Sequence, residues 1–175
     1  MSETIVLIGM PQSGKSTVGK MVAEQLNYSF HDVDRLIEKH YSSAGKGDLN
    51  SKEIYKKEGE DYYRNLEKEI FSKIVYSEKA IIATGGGTPI HVPGFDKLTD
   101  HTKVVFLYCT LNTLWKRIEE MNEVPAILNS INPFTTFKEI YKARLVYYLT
   151  NSHHKIDATN QSENEIANAI ITNVQ

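Results

Sequence analysis

The chain has 175 residues, 41% of them hydrophobic and 24% charged, which is enough for one compact domain with a sizeable core. A formal net charge of −2 excludes a general electrostatic attraction to nucleic acid or to an anionic membrane. The single cysteine, Cys109, excludes an internal disulfide, and no apolar run approaches the length of a membrane span. The first residues, Met1 to Thr4 and a short apolar run, lack the basic flank and the length of a signal peptide. A cytoplasmic monomer without nucleic-acid or membrane partners is the expectation.

Thr4 to Ile8 is a β-branched run ending at Gly9, which reads as a buried strand feeding a turn. Lys15 to Leu26 carries apolar residues at helical spacing. Ser29 to Val33 predicts a second strand, Asp34 to Tyr41 a short helix, and the glycine-rich polar stretch 42–50 a loop. Ser51 to Ser77 reads as helical with a break near Gly59. Ala80 to Ala83 is a strand stopping at Thr84-Gly85-Gly86-Gly87, and Lys103 to Cys109 is the clearest buried strand. Leu111 to Met121 predicts a helix. Asn122 to Thr135, with its prolines and asparagines, predicts a mobile loop, and a helix follows from Thr136 to about Asn151. His154 to Asp157 predicts a last strand and Ser162 to Val174 a closing helix, with Ser162 capping and Glu165 completing the box. Strands alternating with helices predict an α/β chain with a parallel sheet covered on both faces.

Gly9-Met10-Pro11-Gln12-Ser13-Gly14-Lys15-Ser16 matches G-x-x-x-x-G-K-S/T at every fixed position, between a buried strand and an amphipathic helix. Such a loop turns backbone N–H groups inward around phosphates, at a helix N-terminus whose dipole favours anions. Lys15 is placed to reach the β- and γ-phosphates, and the Ser16 hydroxyl to complete a magnesium shell. ATP and Mg²⁺ are therefore expected. Asp32-Val33-Asp34 ends the second strand, on the side where open α/β sheets bind ligands. One carboxylate could hold magnesium through water and the other accept a proton from an attacking hydroxyl. Either could instead cap the next helix. The triplet Gly85-Gly86-Gly87 lets a ligand approach bare backbone, or is a flexible turn. Arg64 and Glu67 can meet on one helix face, as an anion-aiming pair or as a surface ion pair of little consequence. The same two readings apply to Arg144.

Taken together, these pieces resemble shikimate kinase, a small P-loop kinase of the nucleoside-monophosphate-kinase fold group, over nearly the whole chain. The phosphate loop with its trailing Thr17 matches, as does Phe30-His31-Asp32-Val33-Asp34 followed by Ile37-Glu38. Gly59-Glu60 through Tyr63-Arg64 and Glu67 is similar to the family's G-E-x-x-F-R-x-x-E, with tyrosine for phenylalanine. Ala83-Thr84-Gly85-Gly86-Gly87 is similar to its A-T-G-G-G. Arg144-Leu145-Val146-Tyr147-Tyr148 keeps the arginine and the final tyrosine of its R-x-P-L-Y.

The resemblance implies a three-layer P-loop fold, one domain over residues 1–175, with a five-stranded parallel sheet, a variable loop at 42–50 and a mobile lid at 122–135. It implies ATP-dependent phosphorylation of a shikimate hydroxyl. Arg64 and Arg144 would clamp the carboxylate of a small carboxylated alcohol, Asp34 would hold ring hydroxyls and act as base, and Gly86 and Gly87 would offer backbone contacts. Gly9, Gln12, Ser13, Gly14, Lys15, Ser16 and Thr17 would cradle the nucleotide, Asp32 would order magnesium-bound water, Glu67 would orient Arg64, and Arg117 would flank the adenine.

The family's lid carries arginine in an R-P-L segment, where this chain has Val124-Pro125. Arg117 and Lys116 are the nearest cations to supply its charge. Kinases of other hydroxy acids such as gluconate, and a weakly catalytic nucleotide-binding relative, are the alternatives. Lys46 of the 42–50 loop is a further candidate for the site. His31, Cys109, Trp115, Tyr147, Tyr148 and the pair His153-His154 read as packing or edge residues.

Overall fold

The computed structural model describes residues 4–77, 79–98, 102–121, 128 and 131–174. Its centre is a five-stranded sheet in which every pairing is parallel: β1 (Thr4–Ile8), β2 (Ser29–Asp32), β3 (Ala80–Ala83), β4 (Thr102–Tyr108) and β5 (His154–Asp157), in the order β2-β3-β1-β4-β5. All residues of β1 and β3 are buried, so both faces of the central strands are covered. This is why their sequences are continuous apolar runs rather than alternating ones. The outer strands β2 and β5 are only partly buried and carry polar residues.

The helices divide into two packed groups. α1 (Lys15–Leu26) packs against α8 (Glu163–Val174). α2 (Val33–Ser43), α3 (Ser51–Glu58) and α4 (Glu60–Ile74) pack mutually, and α5 (Thr88–His91) joins α4 to α7 (Pro133–Thr150), which meets α6 (Leu111–Glu120). The expected break falls at Gly59, whose φ of 86° ends α3 and starts α4. Ser162 and Glu165 form the expected box, with Ser162 N–H donating to Glu165 Oε2 at 2.8 Å and Glu165 N–H to Ser162 Oγ at 3.3 Å.

Several boundaries differ from expectation. Strand β2 stops at Asp32, so Asp34 lies in the first turn of α2 and not on extended chain. Helix α2 runs two residues further than expected, into the stretch assigned to a loop. Helix α7 begins at Pro133 because proline suits a first helical position and the Asn132 side chain accepts from Thr135 N–H at 3.1 Å. The short helix α5 and a 3-10 turn at Phe95–Lys97 fill a stretch with no predicted element. Of the expected lid, residues 122–127, with Val124, and 129–130 lie outside the described residues. No helix among the described residues is long and apolar enough to cross a membrane.

Candidate active site

The phosphate loop leaves the carboxyl end of β1, the central strand, where parallel sheets place their ligands. Gly9 has a φ of 147°, and a Cβ there would come within 2.7 Å of the Leu107 carbonyl oxygen, so only glycine fits the turn. Gly14 at φ 92° and Gln12 at φ 67° complete the reversal into α1. Lys15 is buried, and its Nζ donates to the carbonyls of Gly9 (3.0 Å) and Met10 (2.8 Å) and to Ser13 Oγ (3.4 Å). Burial pulls its ammonium down to about 8, against the attraction of Asp34 and Asp32.

Ser16 begins the first turn of α1, and its hydroxyl donates to Asp32 Oδ2 at 2.5 Å. Asp32 is also the cap of α2, its Oδ1 accepting from Arg35 N–H at 3.3 Å. The two expected roles for this residue thus occupy different oxygens. Asp34 sits one helical step beyond, and its Oδ1 accepts from the Tyr63 hydroxyl at 2.9 Å. Burial pushes its carboxyl up to about 6, with Asp32 and Glu67 adding to the rise and Tyr63 and Lys15 opposing it.

The glycine triplet brings bare backbone against the charged side chains. A Cβ on Gly85 would meet Glu67 Oε1 at 2.8 Å and Asp34 Oδ1 at 3.2 Å; one on Gly86 would meet Arg144 Nη1 at 2.9 Å; one on Gly87 would meet Arg64 Nη1 at 2.8 Å. Glu67 is fully buried and accepts from Arg64 Nη1 at 2.7 Å and from the Thr88 hydroxyl at 2.5 Å. The pair is therefore not a solvated surface contact. Arg64 Nε is buried without a hydrogen-bond partner, 3.6 Å from Glu60 Oε1. Arg144 is 7% exposed, and no carboxylate among the described residues forms an ion pair with it. Tyr148, whose ring is wholly buried, donates from its hydroxyl to the Gly86 carbonyl at 2.6 Å and so holds the triplet in place.

Two clefts meet here. One, of about 250 Å³, is lined by Lys15, Ser16, Thr17 and Asp34. The other, of about 320 Å³, is lined by Asp34, Arg64 and Arg144, with Tyr55, Tyr63 and Lys52 on its α3 and α4 walls. Pro11, Gln12, Asp34, Gly85 and Gly86 belong to both.

Arg117 lines neither cleft. Its guanidinium donates to the carbonyls of Gln12 (2.9 Å) and Ala158 (3.4 Å) and lies 3.6 Å from Cys109 Sγ, tying the back of the phosphate loop to the ends of β4 and β5. Lys116 is on the exposed face of α6 beside Glu120. Lys46 is kept outside the clefts by Tyr62, its Nζ 4.5 Å from the ring centre and 3.1 Å from the hydroxyl. Cys109 lies just past the end of β4, and His31 on the edge strand β2.

Sequence reasoning missed Tyr63, Thr88 and the hydroxyl of Tyr148. The tyrosine standing where the resembled motif has phenylalanine was the one available signal for the first of these.

A family model described as Shikimate kinase matches residues 11–175. A shikimate kinase of Clostridium botulinum (strain 657 / Type Ba4) is 40% identical over 164 residues, 94% of this chain and 92% of that protein. A shikimate kinase of Sulfurihydrogenibium sp. (strain YO3AOP1) is 33% identical over 174 residues, 99% of this chain and 98% of that one. The structure of shikimate kinase from Acinetobacter baumannii in complex with shikimate superposes with a TM-score of 0.85 at 28% identity, covering 99% of this chain and 93% of that one.

Proposed function

The chain belongs to the shikimate kinase family, and on that premise we infer that it transfers the terminal phosphate of ATP to a hydroxyl of shikimate. The observation that carries this reading is the position of Asp34. It is shared by the cleft that holds Lys15 and Ser16 and by the cleft that holds Arg64 and Arg144. A carboxylated alcohol seated on the two guanidinium groups would present a hydroxyl to the same carboxylate that faces the phosphate loop.

Arg64 offers a fork held by Glu67, with the buried Nε donor still unused, and Arg144 offers a second cation with no competing carboxylate. The backbone of Gly86 and Gly87 floors the cleft between them. The inward amides of residues 9–17 bind the triphosphate, and Lys15 turns from the loop's own carbonyls to the β- and γ-phosphates. Arg117 steadies Gln12 and borders the nucleotide from behind the loop.

Asp34 accepts the proton of the acceptor hydroxyl as its oxygen bonds to the γ-phosphorus. The bond from that phosphorus to the β-phosphate oxygen breaks, and ADP leaves with the electron pair. The Ser16 hydroxyl and the Asp32 carboxylate form an all-oxygen donor set that suits Mg²⁺, with phosphates and waters completing the shell. When bound, that ion supplies neutralisation of charge on the transferring phosphate.

The same reading takes residues 1–175 as one kinase domain, working as a monomer in the cytoplasm without nucleic-acid or membrane partners. The slight net negative charge supports it. The test is a coupled ADP-release assay with Mg-ATP and a panel of hydroxy acids. Turnover with shikimate, lost in Arg64→Ala and Arg144→Ala while ATP still binds, is the expected result. Turnover with gluconate and none with shikimate would overturn the acceptor assignment.

A further inference from the structure

Asp34 is held by more than its own helix. Its Oδ1 receives the Tyr63 hydroxyl from α4 at 2.9 Å, and its backbone carbonyl receives Ser51 Oγ from the start of α3 at 3.1 Å. Ser51 is fixed in turn, its N–H donating to Glu38 Oε1 at 2.9 Å. Tyr63 is itself well placed to hold still: it is 6% exposed, and its ring packs edge-on against Tyr55 at 5.6 Å between centres. Its hydroxyl titrates far above neutrality, because burial and the neighbouring Asp34 charge both disfavour the phenolate, so it remains a donor throughout the working range. Phenylalanine at this position would fill the same wall without the hydroxyl. The oxygen therefore adds nothing that packing requires.

We propose that Tyr63 is a positioning residue for the phosphoryl transfer of this chain: its hydroxyl pins Oδ1 of Asp34, leaving Oδ2 as the oxygen that takes the acceptor's proton, and holds the carboxylate in its ionised form. The proposal deepens the reading of Asp34 as base and rests on it. A carboxylate free to rotate would offer either oxygen and would spend part of its time turned from the acceptor. A donor on Oδ1 removes that freedom. It also favours the charged form in a place where burial disfavours it.

The other groups facing Asp34 come from every side of the cleft. Lys15 stands on the phosphate loop, Asp32 at the end of β2, Arg35 on the same helix, Glu67 on α4, and Arg64 and Arg144 line the shared wall. Lys15 favours ionisation, while Asp32 and Glu67 oppose it. Among these, Tyr63 is the neutral donor, and its removal changes no charge in the site.

The experiment is Tyr63→Phe, with the pH dependence of kcat/KM for shikimate measured beside the unmodified protein. A lost hydrogen bond to a carboxylate moves its titration up, so the acid limb is expected to shift to higher pH by about one unit. The alkaline limb stays in place, and the plateau falls several-fold. Carbon NMR of the labelled Asp34 carboxyl, without substrates, reads the same shift independently of turnover. A limb and a carboxyl titration that both stay where they were, in a variant with an unaltered melting curve, overturn the proposal. A uniform loss of activity at every pH with unmoved titration assigns Tyr63 to packing and also overturns it. Asp34→Asn separates this from failure of the underlying reading. If that variant keeps turnover and the acid limb, the base assignment falls and the proposal falls with it.

Discussion

Gly87 lies directly against the Arg64 guanidinium: a Cβ at position 87 would come within 2.8 Å of Nη1, 2.9 Å of Nη2 and 3.0 Å of Cζ. The backbone of Gly87, at φ −98°, is one that alanine adopts freely, so the restriction comes from the guanidinium and not from the chain. Arg64 cannot simply step aside, because Glu67 holds its Nη1 at 2.7 Å. Gly87→Ala should therefore displace the fork while leaving the fold and the phosphate loop intact. Shikimate KM is expected to rise roughly tenfold or more, since displacements of this size at a positioning group are costly. ATP affinity should change little. Steady-state kinetics with each substrate varied in turn check this, and an equal loss for both substrates counts against it.

The two arginines should part company in stability measurements. Arg64 neutralises Glu67, which is fully buried, so Arg64→Met leaves an unpaired charge in the core. The expected loss is about 3 kcal/mol in a denaturant titration. Arg144 has no ion-pair partner among the described residues and is itself almost fully buried. Arg144→Met removes a desolvated charge, and its stability should match or exceed that of the unmodified protein. Both variants should lose shikimate binding by roughly a hundredfold, the worth of a charge-assisted contact. A destabilised Arg144→Met, or a stable Arg64→Met, would show that the buried carboxylate is compensated in some other way.

The parts of this molecule that depend on local pattern were readable before folding. The run Thr4–Ile8, the G-x-x-x-x-G-K-S segment and the Ser162–Glu165 box each carry their structure within a few residues, and each appears as expected. Asp32 and Asp34 were placed together for the wrong reason. They share the site because a strand ends at one and a helix begins before the other, not because extended chain points both the same way. Contacts between distant segments left no local trace. Tyr63 reaches Asp34 across 29 positions, and Tyr148 reaches the Gly86 carbonyl across 62. The burial of Glu67, which turns an ordinary i,i+3 pair into a fixed clamp, follows from the packing of α4 against α5 and β3 and has no signature in its own helix.

Asp34 and Lys15 both carry their charge against burial, which stands at about 6 for the one and about 8 for the other. The folded protein keeps the Asp34 proton to a higher pH than the unfolded chain, whose value is near 3.8. Its contribution to stability is therefore lost as pH rises from about 4 to 6, and the cost is complete above that. Lys15 gives up its proton earlier when folded than when unfolded. Its cost is complete below about 8 and relaxes as pH rises from there toward 10.5. Near neutrality both costs are present, so Asp34→Asn should be more stable than the unmodified protein at pH 7. The gain should be ~1–2 kcal/mol, below the full shift because the attraction to Lys15 is lost with it. Denaturant midpoints at pH 7 and pH 4 test the sign, with the difference shrinking at the lower pH. Activity should run the other way. For the unmodified protein kcat/KM falls as pH drops through about 6, and ATP binding weakens as pH climbs through about 8.

Asp32 serves two neighbours with two oxygens, and asparagine separates them. Oδ1 caps α2 through Arg35 N–H, and an asparagine oxygen caps a helix as well as an aspartate does. Oδ2, which takes the Ser16 hydroxyl, becomes an uncharged NH₂ that can neither accept that proton nor attract a cation. Asp32→Asn should therefore keep its melting temperature, within the ~0.5 kcal/mol expected of a matched cap. The Mg²⁺ concentration for half-maximal turnover should rise roughly tenfold or more, the usual cost of losing a group that orients a metal's ligands. Asp32→Ala should show the same magnesium defect and, in addition, lose about 1 kcal/mol of stability with the cap. A magnesium titration and a denaturant titration on both variants give the four numbers needed. If the asparagine variant takes Mg²⁺ as the unmodified protein does, Asp32 is a helix cap and nothing more, and Ser16 must find its metal partner elsewhere.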